Sequence, residues 1–208
     1  MADVKITDLT QATSVAETDV IPFVQNPGST PVTRKVPVKT ILDARLNYSI
    51  VPAGDFALTA ATTAQPAFPA AGDVFTLLAA TTYEFEGCYH ITKTTASTTL
   101  AMLFALGGGA TITSILYSAI AQNASVNTTA TAQDMAYVNQ VTSTVITSAS
   151  TGDVFVKFKG IIRMNVGGTV TPQIAFSLAP TTPVMKANSY IKFTPIGTNV
   201  ENQKGAVA

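Results

Sequence analysis

From Gly152 to Val166 the chain alternates with a period of two. Val154, Val156, Phe158, Gly160, Ile162, Met164 and Val166 fall on one side; Phe155, Lys157, Lys159, Ile161, Arg163 and Asn165 fall on the other. A helix would spread that apolar set around its cylinder, whereas a strand keeps it on one face. The pattern predicts a long strand with a dry face and a wetter one. Phe155 and Ile161 stand among cations on the wetter side. Together with Arg163 they are candidates for a subunit interface, a single exposed isoleucine being the alternative.

The same reading extends over the rest of the chain. Thr82–Lys93 alternates, with Tyr83, Phe85, Gly87, Tyr89 and Ile91 against Glu84, Glu86, Cys88, His90 and Thr92. Phe56–Thr62, Val74–Ala79, Leu100–Leu106, Thr111–Ile120, Val141–Ala149 and Ser189–Gly197 are further strand candidates. Gln65–Gly72 and Ala121–Gln133 read as loops. Gly107-Gly108-Gly109 reads as a hairpin turn, and Gly167-Gly168 as the turn that brings Thr169–Leu178 back beside the long strand. Pro172 within that returning segment suits an edge or a bulge. Eight or nine strands with short polar links and no long helix predict an all-β, antiparallel jelly-roll sandwich.

Residues 1–53 differ. They hold much of the charge together with Pro22, Pro27, Pro31 and Pro37, which keep the chain extended. Short apolar pieces around Val20–Val24 and Val36–Val38, separated by Asn26-Pro27-Gly28-Ser29, predict a small hairpin. Val38–Leu46 is a candidate short helix. The segment has too little apolar mass to fold alone, so it reads as an arm ordered by a docking surface, with Ile6, Leu9, Ile21, Phe23, Val36 and Val38 as its apolar contacts. The expected division is an arm over 1–53, a sandwich over 54–197 and a polar tail over 198–208.

Composition sharpens this. Formal net charge is zero, so no strong field points at nucleic acid or anionic lipid. Only 12% of residues are charged, about half the usual share of about 25%. Thr, Ser, Asn and Gln take their place, a surface suited to burial against identical neighbours. No signal peptide and no membrane-spanning run is read. The sequons at Asn47, Asn123 and Asn127 are read as chance in a threonine-rich chain. The single cysteine, Cys88, excludes an internal disulfide.

Candidate chemistry is thin. Cys88 and the only histidine, His90, share one strand face, but two ligands do not make a metal site. Glu84 and Glu86 are spaced as a carboxylate pair on a strand, where solvent-facing glutamates are the commoner outcome. The triglycine has no following Lys-Ser/Thr and no helix, so it is not a phosphate cradle. Lys157, Lys159 and Arg163 make a basic stripe, for which an acidic partner surface is one reading and a solvated outer face the commoner one; aromatic residues do not interleave with it as nucleic-acid binding requires. No cofactor, no metal and no enzymatic machinery is expected.

Two parts of the chain resemble tailed-bacteriophage virion structural proteins. The first is the opening KITDLTQATSVAETDVIPFVQ with TRKVPVKTIL; similar openings occur on phage fibre and minor structural proteins as attachment arms. The second is TTYEFEG with GIIRMNVGGTVTPQIAFS and SYIKFTPIG, which is similar to the tumour-necrosis-factor-like jelly rolls of phage decoration proteins and fibre tips. The resemblance implies a homotrimer on the phage particle, docked on the major capsid protein or another virion protein. It implies a capsid decoration (cement) protein or, alternatively, a short fibre that binds a host surface glycan. It carries over no active site.

Overall fold

In a computed structural model of the chain, the described residues are 20–25, 32–37, 48–69, 73–94, 97–123 and 133–200. Contacts divide the chain into two units, Met1–Leu46 and Asn47–Ala208. In the first, Val20–Gln25 (β1) and Val32–Pro37 (β2) form an antiparallel ribbon, with Ile21 opposite Val36 and Phe23 opposite Arg34. This is the hairpin that the apolar pieces predict. Val20 and Ile21 are exposed on it. The turn at 26–29, the helix expected over 38–46, and Ile6, Leu9 and Val38 lie outside the described residues.

The second unit begins with Tyr48–Ile50 (β3), Phe56–Ala57 (β4), Gln65–Pro66 (β5) and Phe75–Leu77 (β6). The long strands Thr81–Thr94 (β7), Leu100–Gly107 (β8) and Thr111–Asn123 (β9) follow, then Gln133–Val138 (β10) and Thr144–Val145 (β11). Val154–Val166 (β12), Gly168–Phe176 (β13), Thr181–Met185 (β14) and Tyr190–Thr198 (β15) complete it. No helix occurs among the described residues. The fold is an all-β antiparallel sandwich.

The larger sheet runs β10-β9-β12-β7. On the far side of β7, β15 pairs with its first half and β14 with its second, and β3 and β4 lie outside them. The smaller sheet runs β11-β8-β13, with β5 and β6 sharing the far edge of β13. From β7 to β9 and from β10 to β14 each strand crosses to the other sheet, as in a jelly roll. The β9–β10 hairpin and the pair β14 and β15 stay within the larger sheet, the hairpin widening it beyond β12. Residues 48–50, within the range expected for the arm, form β3 on this sheet.

Two expectations about turns are corrected. Gly107–Gly109 does not close a hairpin, because β8 belongs to the smaller sheet and β9 to the larger. Gly108 and Gly109 take φ of 61° and 80°, and Ala110 N–H donates to the Gly107 carbonyl at 3.1 Å; the turn is a corner between layers. Gly167-Gly168 likewise carries the chain from β12 into the other sheet, where β13 pairs with β8. At both corners the flanking strands bring their apolar faces together across the core, as Phe104 of β8 meets Tyr117 of β9 at 5.8 Å.

Other expected strands shrink. Of Val141–Ala149 only β11 is regular, although Val141 O accepts from Phe104 N–H and Ile146 N–H donates to Leu100 O, so the segment still follows β8. Of Phe56–Thr62 only β4 forms, and the loop at Gln65–Gly72 contains β5. Of the loop expected over Ala121–Gln133, residues 121–123 continue β9 and Gln133 begins β10, while 124–132 lies outside the described residues. Pro172 is neither on an outermost strand nor at a bulge. Its carbonyl accepts from Ala67 N–H, and it sits where the neighbour of β13 changes from β6 to β5. A strand residue's N and O point to the same side, so the missing N–H falls in that gap. Val166, expected on the dry face, is exposed because the ladder with β9 slips between Met164 and Val166.

The core forms where the two sheets face each other. Phe85 is its centre, with ring centroids of Phe104, Phe193 and Tyr117 at 5.3, 5.4 and 5.7 Å. Val154, Val156, Phe158, Ile162 and Met164 of β12 are buried, as are Tyr83, Tyr89 and Ile91 of β7. Each such side chain contributes about 1.5–3 kcal/mol through burial. Two glycines let the strands close up. A Cβ on Gly87 would overlap the Phe158 ring, and one on Gly160 would overlap the β9 backbone at Leu116–Tyr117.

Candidate functional site

The outward positions of β10, β9, β12, β7 and β15 form one continuous face, and the registers fix its rows. Met135, Ile120, Lys157, Cys88 and Tyr190 lie abreast; so do Tyr137, Ser118, Lys159, Glu86 and Lys192; and so do Leu116, Ile161, Glu84 and Thr194. Alternation places these residues outward because their neighbours in sequence are needed in the core.

The face has two halves. On β7, β12 and β15 it is a charge ladder. Lys159 Nζ lies 2.6 Å from Glu84 and 3.9 Å from Glu86, and Lys192 Nζ lies 2.8 Å from Glu86. The hydrogen bond from Lys192 holds the Glu86 carboxyl below the usual glutamate range, against the opposing effect of burial. Glu84 raises the Lys159 pKa and Glu86 raises that of Lys192. A hydrolytic general acid needs its carboxyl pKa raised; Glu86 is shifted the other way.

On β9 and β10 the face is apolar. Met135 and Tyr137 are 78% and 74% exposed, with Leu116, Ile120 and Ile161 at 45%, 41% and 42%. These strands present no charged side chain outward among the described residues. Open grooves of about 350 Å3 flank Lys159, one toward Cys88 and Tyr190, the other toward Tyr137 and Ile161.

The residues expected at an interface separate on this face. Ile161 lies between Leu116 and Glu84, inside the apolar patch. Phe155 is half-buried at one end of β12, under Lys157 Nζ at 5.6 Å and 6.3 Å from the His90 ring. Arg163 is exposed at the other end, beside Ser114 and Thr82. Of the expected arm contacts, Ile21 is exposed on β1, and Phe23 and Val36 lie in the ribbon. Met135, Tyr137, Leu116 and Ile120 are absent from the sequence-derived set. The signal available was the outward alternation of Met135 and Tyr137, masked by Ala136 and Val138 on the inner side.

Cys88 and His90 do not assemble a centre. Burial pushes the Cys88 thiol pKa up, which disfavours the nucleophilic thiolate. His90 Nε2 faces Asp153 Oδ2 at 3.5 Å. Among the described residues no cluster of three metal-ligating side chains occurs. One further charged group is buried: Lys93, whose ammonium donates to the Ser150 carbonyl. Burial lowers its pKa, with Asp153 acting in the opposite sense.

No protein-family profile and no curated protein sequence matches the chain. Among solved structures, the VP2 subviral particle of infectious bursal disease virus is similar at 12% identity and a TM-score of 0.21, covering 90% of this chain and 50% of that one. The Gx strain of the same virus is similar at 11% identity and a TM-score of 0.18, covering 91% and 47%. The chain thus spans about half the length of these neighbours, and TM-scores this low do not establish a shared fold.

Proposed function

We propose that this chain is a non-enzymatic virion structural protein of a tailed phage. It is a homotrimeric capsid decoration protein whose N-terminal arm docks on the shell. The observation that carries the reading is the β1–β2 ribbon. Two strands of six residues, grouped apart from the sandwich and exposing Val20 and Ile21, are marginal in water without a surface to cover them. That ribbon falls in the segment whose sequence resembles phage attachment arms. The charge-poor sandwich suits packing against like neighbours, and the pinned glutamates offer no acid–base pair.

The test is binding to purified particles that lack the protein. Ile21→Asp with Phe23→Asp, in the full chain, should abolish binding while the melting of the sandwich stays unchanged. Undiminished binding would remove the arm from the docking role. A short fibre attached by the same arm is the alternative. Stoichiometry in intact particles separates them, since a decoration protein is present in numbers comparable with the shell protein and a fibre in a small fraction of them.

A further inference from the structure

We infer that the outer face of β9, β10 and β12 packs against a second copy of this chain, with Met135 and Tyr137 at the centre of the contact. The registers set Met135 beside Ile120, Tyr137 beside Ser118, and Leu116 beside Ile161, so their exposed surfaces join into one patch. Exposed apolar surface that is contiguous and rimmed by polar groups marks an interaction site. The sheet ends there on β10, whose sequence QDMAYV carries no Lys or Pro to guard an edge. Its one charge, Asp134, accepts from Ser148 N–H at 2.5 Å and Ser148 Oγ at 2.6 Å, which ties it down away from the patch.

Three observations select a copy of the chain as occupant. Lys159 and Lys192 are matched against Glu84 and Glu86 and Lys157 Nζ rests over the Phe155 ring, so the cations beside the patch are occupied within the face. What covers the patch must itself be apolar and poor in charge, and only 12% of this chain is charged. The size fits once the contact continues over the charge ladder: from the Arg163 row to the Phe155 row, β10, β9 and β12 span about 430 Å2, and with β7 and β15 the face reaches about 700 Å2, at about 4.8 Å per strand and about 3.3 Å per residue. A stable interface needs about 800 Å2 per partner.

The inference rests on the self-association in the reading above and adds its location. Light scattering on the full chain, with Met135→Glu/Tyr137→Glu beside it, tests both. The wild type is expected at a multiple of 21.6 kDa and the variant at 21.6 kDa, with unchanged β-sheet circular dichroism. Leu178→Glu, an exposed leucine just beyond β13, should leave the mass of the assembly unchanged. An associated wild type with an equally associated double variant overturns the location and leaves the trimer standing. A wild type at 21.6 kDa overturns both, without touching the arm. Should the double variant fail to fold, a photoreactive phenylalanine analogue at Tyr137 in the otherwise native chain gives the answer: a cross-link to a second copy supports the contact, and cross-links only within the chain refute it.

Discussion

The ring of Phe158 on β12 lies over the bare α-carbon of Gly87 on β7, directly across the strand pair. The aromatic ring fills the space a side chain at Gly87 would take, and the Tyr190 carbonyl, 2.6 Å from where a Cβ would stand, closes the other side. Gly87→Ala is therefore expected to cost about 1–3 kcal/mol through overpacking. Gly54→Ala, with nothing within 4 Å of its added carbon, should be nearly neutral. Urea melts of the two variants check this; equal stabilities would show that the ring moves aside freely.

Tyr89 and Tyr117 bury their hydroxyls without a hydrogen-bond partner in the protein among the described residues. Burial pushes the Tyr117 pKa up to about 12 and raises that of Tyr89 as well. A buried, unpaired hydroxyl is penalised by about 1–3 kcal/mol. Tyr89→Phe and Tyr117→Phe should leave the unfolding midpoint unchanged or raise it. Tyr83→Phe is the contrast, because Tyr83 Oη accepts from Leu78 N–H at 2.9 Å. Loss of stability in the first two variants comparable with the third would reveal a hydrogen bond to each hydroxyl.

Lys93 is the buried cation of the sandwich. Its pKa is depressed in the fold, so the unfolded chain binds the proton more tightly. Stability should then rise as pH climbs from the depressed value toward the ordinary lysine value. Lys93→Met should remove that alkaline limb and hold or raise stability at neutral pH, since the Ser150 carbonyl keeps Thr98 N–H at 3.1 Å. A loss of about 3 kcal/mol or more would instead mark the breaking of a buried ion pair, and the reading would fail.

Glu86 titrates in the opposite sense. Its carboxyl is held low in the fold by Lys192, so its contribution is present above the ordinary glutamate range and is lost as pH falls through the folded value. Glu86→Gln should lower the urea midpoint slightly at neutral pH, less in high salt, and not at all at the acid end. A deficit that persists in acid would point to packing rather than charge.

Legibility along the chain depended on contrast between the two faces of a strand. β12 and β7 declare themselves because Lys157, Lys159, Glu84 and Glu86 alternate with buried Val156, Phe158, Tyr83 and Phe85. In β9 the outward Leu116 and Ile120 break the contrast with inward Ile115, Tyr117 and Ala119, and the segment reads only as an apolar run. β10 is hidden for the same reason. An exposed apolar face thus erases the pattern by which its own strands would be recognised. Glycine turns had the reverse problem: Gly107–Gly109 and Gly167-Gly168 are plain as turns, but a tight turn does not say whether the next strand stays in its sheet. That choice is made by distant partners, Phe104 meeting Phe85 and Tyr117 across the core.

The corner geometry has a consequence for how the molecule comes into being. Within the larger unit, β9 and β10 are the only consecutive strands, among the described residues, that hydrogen-bond to each other. Every partner of β7 on its own sheet, namely β12, β14 and β15, is synthesised after residue 150. Until then, β7 emerges from the ribosome with both of its hydrogen-bonding edges unpaired. Topologies dominated by such distant pairings fold in milliseconds to seconds, and their half-made chains are prone to aggregation. The nascent chain is therefore most vulnerable in the interval between completion of β7 and arrival of β12, and slowing translation there should lower the soluble yield.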